Sequence, residues 1–167
     1  MNIDTLKRLI GLVVFAIVQV LILNRVHLFG VATPLLCVYF VLQYRLGEPK
    51  WALLLWAFAL GIIIDIFSNA PGVASASLTL SAALQPYFLN LFVSHDAEER
   101  LRPCIETLGI VSFMYYCLIQ VFLFCLVFFT LDLFSFFNWL YWLECVVGST
   151  VLTLLLILVI DSFRRNG

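Results

Sequence analysis

Charge is what this sequence has least of. Charged side chains make up 11% of its 167 residues, against a hydrophobic share of 64%. A soluble domain carries about 25% charge and about 45–50% apolar residues. A fold of this length has no interior large enough to hide so much apolar surface, so a lipid bilayer must stand in for water. The nine Lys and Arg nearly balance ten Asp and Glu, leaving a net charge of −1. No basic field exists to draw in nucleic acid, and none is expected as a partner. The sequence also lacks H-E-x-x-H, a phosphate-binding G-x-x-x-x-G-K-[ST] and G-x-S-x-G. Those patterns place a metal-activated water, a phosphate cradle or a nucleophilic serine, so their absence points away from an enzyme. Five cysteines are present, Cys37, Cys104, Cys117, Cys125 and Cys145. None forms a C-x-x-C pair or a Cys/His cluster at metal spacing. They read as small buried hydrophobes, and no metal or cofactor is expected.

What is present is a series of six apolar runs, at about 9–23, 28–44, 51–67, 73–93, 104–130 and 134–163. The first follows Lys7 and Arg8 as a signal peptide would. Gln19 interrupts it, however, and Asn24-Arg25-Val26-His27 follows where a small-residue cleavage site would stand. It reads as an uncleaved first span. In hydrocarbon every backbone polar group needs an internal partner, which leaves helices or a closed barrel. Runs such as 51–64 show none of the alternation that a barrel strand needs. The expected fold is therefore all-α, a single polytopic membrane bundle over 1–167 with about six transmembrane helices. A span needs about 17–25 residues; the first three runs are short for this, and the last two are long enough to tilt.

Orientation follows from the basic residues. With six spans, one side carries Lys7, Arg8, Arg45, Lys50, Arg100, Arg102, Arg164 and Arg165, and the other carries only Arg25. Both termini are predicted to be cytoplasmic. Trp139, Tyr141 and Trp142 near the outer end of the last span, and Trp51 at the inner end of the third, suit the aromatic belts. The stretch 131–138 is amphipathic enough to lie on the outer surface. The largest loop, 94–103, is cytoplasmic, and Asp96 with Glu99 has capping-box spacing there.

Asp65 is the first candidate for function. An ionisable group in a span costs about 2.5–3.5 kcal/mol at mid-bilayer, less near the interface, and usually faces the bundle interior with a partner. Ala57, Gly61 and Asp65 recur every four residues and share one face. Small residues at that spacing let another helix approach closely. Two readings stand open: a packed seam or cavity ending in a carboxylate, or an interface residue reaching water. Asn69, Pro71 and Gly72 follow as turn formers. The fourth run opens with Ser75, Ser77, Thr79 and Ser81 among alanines, as suits a helix in the middle of a bundle or one lining a small cavity. Pro86 should kink it. Glu144 is the second ionisable group within a span. It is expected at a depth near that of Asp65, with Arg25 as a structural partner for either carboxylate.

The junction of the third and fourth runs carries a resemblance. Gly61-Ile62-Ile63-Ile64-Asp65, then Pro71-Gly72, preceded by Phe29-Gly30 and Thr33-Pro34 at the first outer turn, resembles the MreD family. Length and hydropathy agree over the whole chain, and the residue-level likeness lies within about 28–90. The resemblance implies a non-enzymatic scaffold of the bacterial inner membrane, acting in rod-shape, lateral peptidoglycan synthesis. Its implied partners are the bitopic MreC, the MreB filament, and a peptidoglycan glycosyltransferase and transpeptidase. It also implies a fold like the six-helix substrate-binding components of energy-coupling-factor vitamin transporters, which supply the alternative function. Against that alternative, the first run lacks two alanines four apart, and the outer loops are short.

Overall fold

The computed structural model describes residues 3–22, 33–43, 49–92, 109–133 and 139–166. The loop 94–103 with its capping-box spacing, Arg25 and Cys104 lie outside the described residues. The described chain is helical, with no strand. Helix α1 runs Ile3–Ile17 and continues as a π-helical turn, Val18–Ile22. Then come α2 (Cys37–Leu42), α3 (Lys50–Ser68), α4 (Val73–Phe92), α5 (Ile110–Leu133) and α6 (Trp139–Asn166). Residues 131–133 belong to α5 and not to a separate surface segment, because the apolar run carries the helix on to Leu133.

Three helical stretches are long and apolar enough to cross a membrane: Lys50–Ser68, Ile110–Leu133 and Trp139–Phe163. Between 33% and 39% of their most apolar windows is buried inside the bundle. The rest faces outward, as the stripe Leu55, Phe58, Ile62 and Ile66 does on α3. A contiguous apolar surface of this kind belongs against lipid. A shorter apolar helix occupies Leu9–Leu21. Helix α4 has comparable length, but its Ser, Thr and Ala residues make it less apolar, and its polar side chains turn inward. Ser75, Ser77, Ser81 and Gln85 are all buried.

The second run differs from an uninterrupted helix. Its helical part, α2, has six residues, about 9 Å at 1.5 Å per residue, too short to cross. Residues 33–35 form no helix. Pro34 explains the break: it donates no backbone bond and pushes the residue before it into extended geometry. Yet all six residues of α2 are buried. It touches α1, α3, α4 and α5 and forms the centre of the bundle. Irregular backbone at such depth is tolerated only within protein or beside a cavity, and both conditions hold here.

Helices α3 and α4 make the most extensive contact in the molecule. Ala57, Leu60, Gly61 and Ile64 of α3 are buried against Ala74, Leu78 and Ala82 of α4. Gly61 sets the approach: a Cβ there would lie 2.3 Å from the Cα of Ser75. Thus no side chain of any size fits unless the two helices part. Gly61→Ala is expected to lower stability by about 1–3 kcal/mol through overpacking, while Ile62→Ala on the outward face changes it little. Thermal unfolding of the two variants in detergent micelles checks this; equal behaviour would mean that the crossing is looser.

Candidate functional site

Asp65 lies one turn before the end of α3 and is 6% exposed. Its backbone carbonyl accepts N–H bonds from Asn69, which closes α3 in the left-handed region at φ 54°, and from Ala70 at 3.4 Å. Asn tolerates that conformation better than most residues. The carboxylate then reaches across the turn to the first turn of α4. It accepts the N–H of Ala74 at 2.7 Å on one oxygen, and those of Gly72 at 3.1 Å and Ser75 at 3.0 Å on the other. The first N–H groups of a helix have no partner within it, and a carboxylate there also meets the positive end of the helix dipole. Gly72 supplies the positive φ, 92°, that aims its N–H at the carboxylate. One residue therefore ends α3 and begins α4.

This geometry decides between the two readings of Asp65. The carboxylate does not reach out to water; it is buried and held by backbone donors. Ala57, Gly61 and Asp65 lie together on the buried face, and Ser75 meets both Gly61 and Asp65. Asn69 and Pro71 are exposed at the turn. The Thr79 hydroxyl donates to the Ser75 carbonyl at 2.6 Å, within its own helix. Glu144 is exposed, and Arg25, the expected structural partner for either carboxylate, lies outside the described residues. The Trp139 and Trp142 rings lie just before Glu144 on α6, with centroids 5.6 Å apart.

Two further polar groupings escaped the sequence reading. Between α4 and α5, the Gln120 amide donates to the Ser81 carbonyl at 2.6 Å and the Ser81 hydroxyl at 2.7 Å. Gln85 donates to the Tyr116 hydroxyl at 3.1 Å. All four side chains are buried. The second grouping holds the break before α2. Thr33 donates its N–H to the Ser149 hydroxyl at 3.1 Å, and Leu35 donates to that of Thr153 at 3.0 Å. Gln19, in the π-helical turn, donates to the Pro34 carbonyl at 3.1 Å and accepts from the Cys37 N–H at 3.3 Å. Side chains of α1 and α6 thus replace the bonds that an unbroken helix would have made. Each of these residues is a polar group within an apolar run, the signal by which the sequence marks it.

The break also opens a cleft of about 340 Å³, lined by residues from all sides of one bundle end. Gln19, Thr33, Leu35 and Cys37 form one wall; Ile64, Ser68 and Ala70 come from the end of α3; Phe128, Phe129 and Asp132 come from α5, and Tyr141 and Cys145 from α6. The volume is at the lower end of the range of small-molecule pockets. Among the described residues, no three His, Cys, Asp or Glu side chains cluster as a metal site would. Cys37, Cys117, Cys125 and Cys145 are free and buried.

No family model, curated protein or solved structure matches the chain.

Removing the Asp65 carboxylate strands three N–H groups, two of them, on Ala74 and Ser75, buried. Asp65→Ala is expected to lower stability by more than about 2 kcal/mol, and Asp65→Asn, which keeps one acceptor oxygen, by less. Chemical or thermal unfolding in micelles measures both. Wild-type stability in Asp65→Ala would show that these donors find other partners.

Proposed function

We propose that the chain is a non-enzymatic scaffold of the bacterial cytoplasmic membrane, of the MreD kind, with six spans, the second of them the run broken at Pro34, and both termini cytoplasmic. On this reading it serves lateral peptidoglycan synthesis. It docks an MreC-like bitopic protein and, with it, the MreB filament and the wall-building glycosyltransferase and transpeptidase.

The observation that carries the reading is the Asp65 joint. The most deeply engaged carboxylate of the G-x-x-x-D-x-x-x-x-x-P-G stretch spends its lone pairs on backbone donors, so its contribution is rigidity rather than proton transfer. A fixed α3–α4 pair is what a platform for another helix requires, since a preorganised surface lowers the ordering cost of association. The Gly61–Ser75 crossing is filled by the chain itself, so a partner's span meets the outward faces of the helices and not that seam.

The alternative, a substrate-binding component of an energy-coupling-factor vitamin transporter, is favoured by one observation, the 340 Å³ cleft at the turn end of the bundle.

Native mass spectrometry after mild-detergent purification from the source membrane separates the two. The scaffold reading expects a single-span protein to be retained, without an ATPase module. Retention of an ATPase-containing transporter module in its place would replace the scaffold with the transporter component.

A further inference from the structure

We propose that the cleft is a binding site for a small organic cation with an ammonium head. The inference is independent of the scaffold reading, because it rests on the cleft and on none of the outward helix faces.

Among the described residues that line the cleft, Asp132 is the one charged group. It is exposed, and it lies in the last turn of α5, which ends at Leu133. The carbonyl groups of a helix C-terminus carry partial negative charge, and cations are stabilised there. The end of α3 meets the same space through Ser68. The C-terminal ends of α3 and α5 therefore line one volume with the N-terminal ends of α2 and α6, and the Asp132 carboxylate adds the net charge. The aromatic side chains have the same preference. Phe128 and Phe129 stand perpendicular, at 81°, with centroids 5.5 Å apart, and Tyr141 lies opposite on α6. Ring faces attract ammonium groups. The Thr33 and Ser68 hydroxyls add oxygen acceptors at the wall. An anion would meet a carboxylate here with no basic side chain among the described lining to offset it. A neutral solute would draw no Coulomb attraction from the Asp132 carboxylate.

An ammonium head has two possible sources, a free amine or the headgroup of phosphatidylethanolamine, and the lipid composition of the assay tells them apart. The full chain is placed in phosphatidylglycerol nanodiscs and unfolded thermally with increasing choline, or with 3,3-dimethyl-1-butanol, its neutral isostere. Choline is expected to raise Tm saturably and the alcohol to have no such effect. Asp132→Asn should weaken the choline response at least about tenfold, while Glu144→Gln, outside the cleft, should leave it intact. In phosphatidylethanolamine nanodiscs, loss of the choline response identifies the lipid headgroup as occupant, and its persistence identifies a free amine. Equal shifts from choline and the alcohol, no shift from either in phosphatidylglycerol, or a choline response unchanged in Asp132→Asn would overturn the proposal. The comparison of the two isosteres on the unaltered protein decides the matter even if Asp132→Asn does not fold.

Discussion

The bundle depends on a single buried carboxylate that joins two helices. In hydrocarbon a helix end is the weakest part of the structure, since its last carbonyls and first N–H groups have no internal partners and no water. Asp65 resolves both ends at once. Its carbonyl closes α3 through Asn69 and Ala70, and its carboxylate opens α4 through Gly72, Ala74 and Ser75. Three charge-assisted bonds offset the cost of desolvating the charge. With the turn fixed, α4 leaves it at the angle that brings Ser75 onto Gly61, and the close crossing follows. The joint and the glycine are thus one device, each setting the geometry that the other needs.

The same problem is solved differently at the break before α2. There the orphaned groups of 33–37 are met not by a carboxylate but by neutral side chains from elsewhere, Gln19, Ser149 and Thr153. Neutral donors and acceptors avoid the desolvation cost of a charge. They also tie α1, α2 and α6 together, although α6 otherwise packs chiefly on α5. The two solutions have different characters. Around Asp65 the backbone is filled in and closed, while beside the break the side chains stand back and leave the cleft.

Much of the first solution was legible in the sequence. Ala57, Gly61 and Asp65 fall four apart, so a shared face follows from helical geometry alone, and Asn69 with Gly72 marks the turn. What the carboxylate bonds to was not legible, because backbone donors leave no trace in the identity of Ala74 or Ser75. The second solution was hidden for a related reason. Pro34 signals a break, but hydropathy averages over 28–44 and registers only an apolar run. Gln19, Gln120, Ser149 and Thr153 are polar residues within such runs, yet their partners lie 15 to 118 residues away for the bonds they make, a separation that only the folded chain brings together. Glu144 carried no sign of its direction: a depth near that of Asp65 was expected of it, and its turn of α6 faces outward.

Residue-resolved amide hydrogen exchange of the full chain in lipid nanodiscs tests the joint most directly. The first-turn amides of a helix exchange fast when nothing accepts their protons. Held by the Asp65 carboxylate, Gly72, Ala74 and Ser75 should exchange as slowly as amides in the middle of α4. Exchange at these three positions as fast as at an open helix end would contradict the account, and with it the rigid α3–α4 platform on which the functional reading stands.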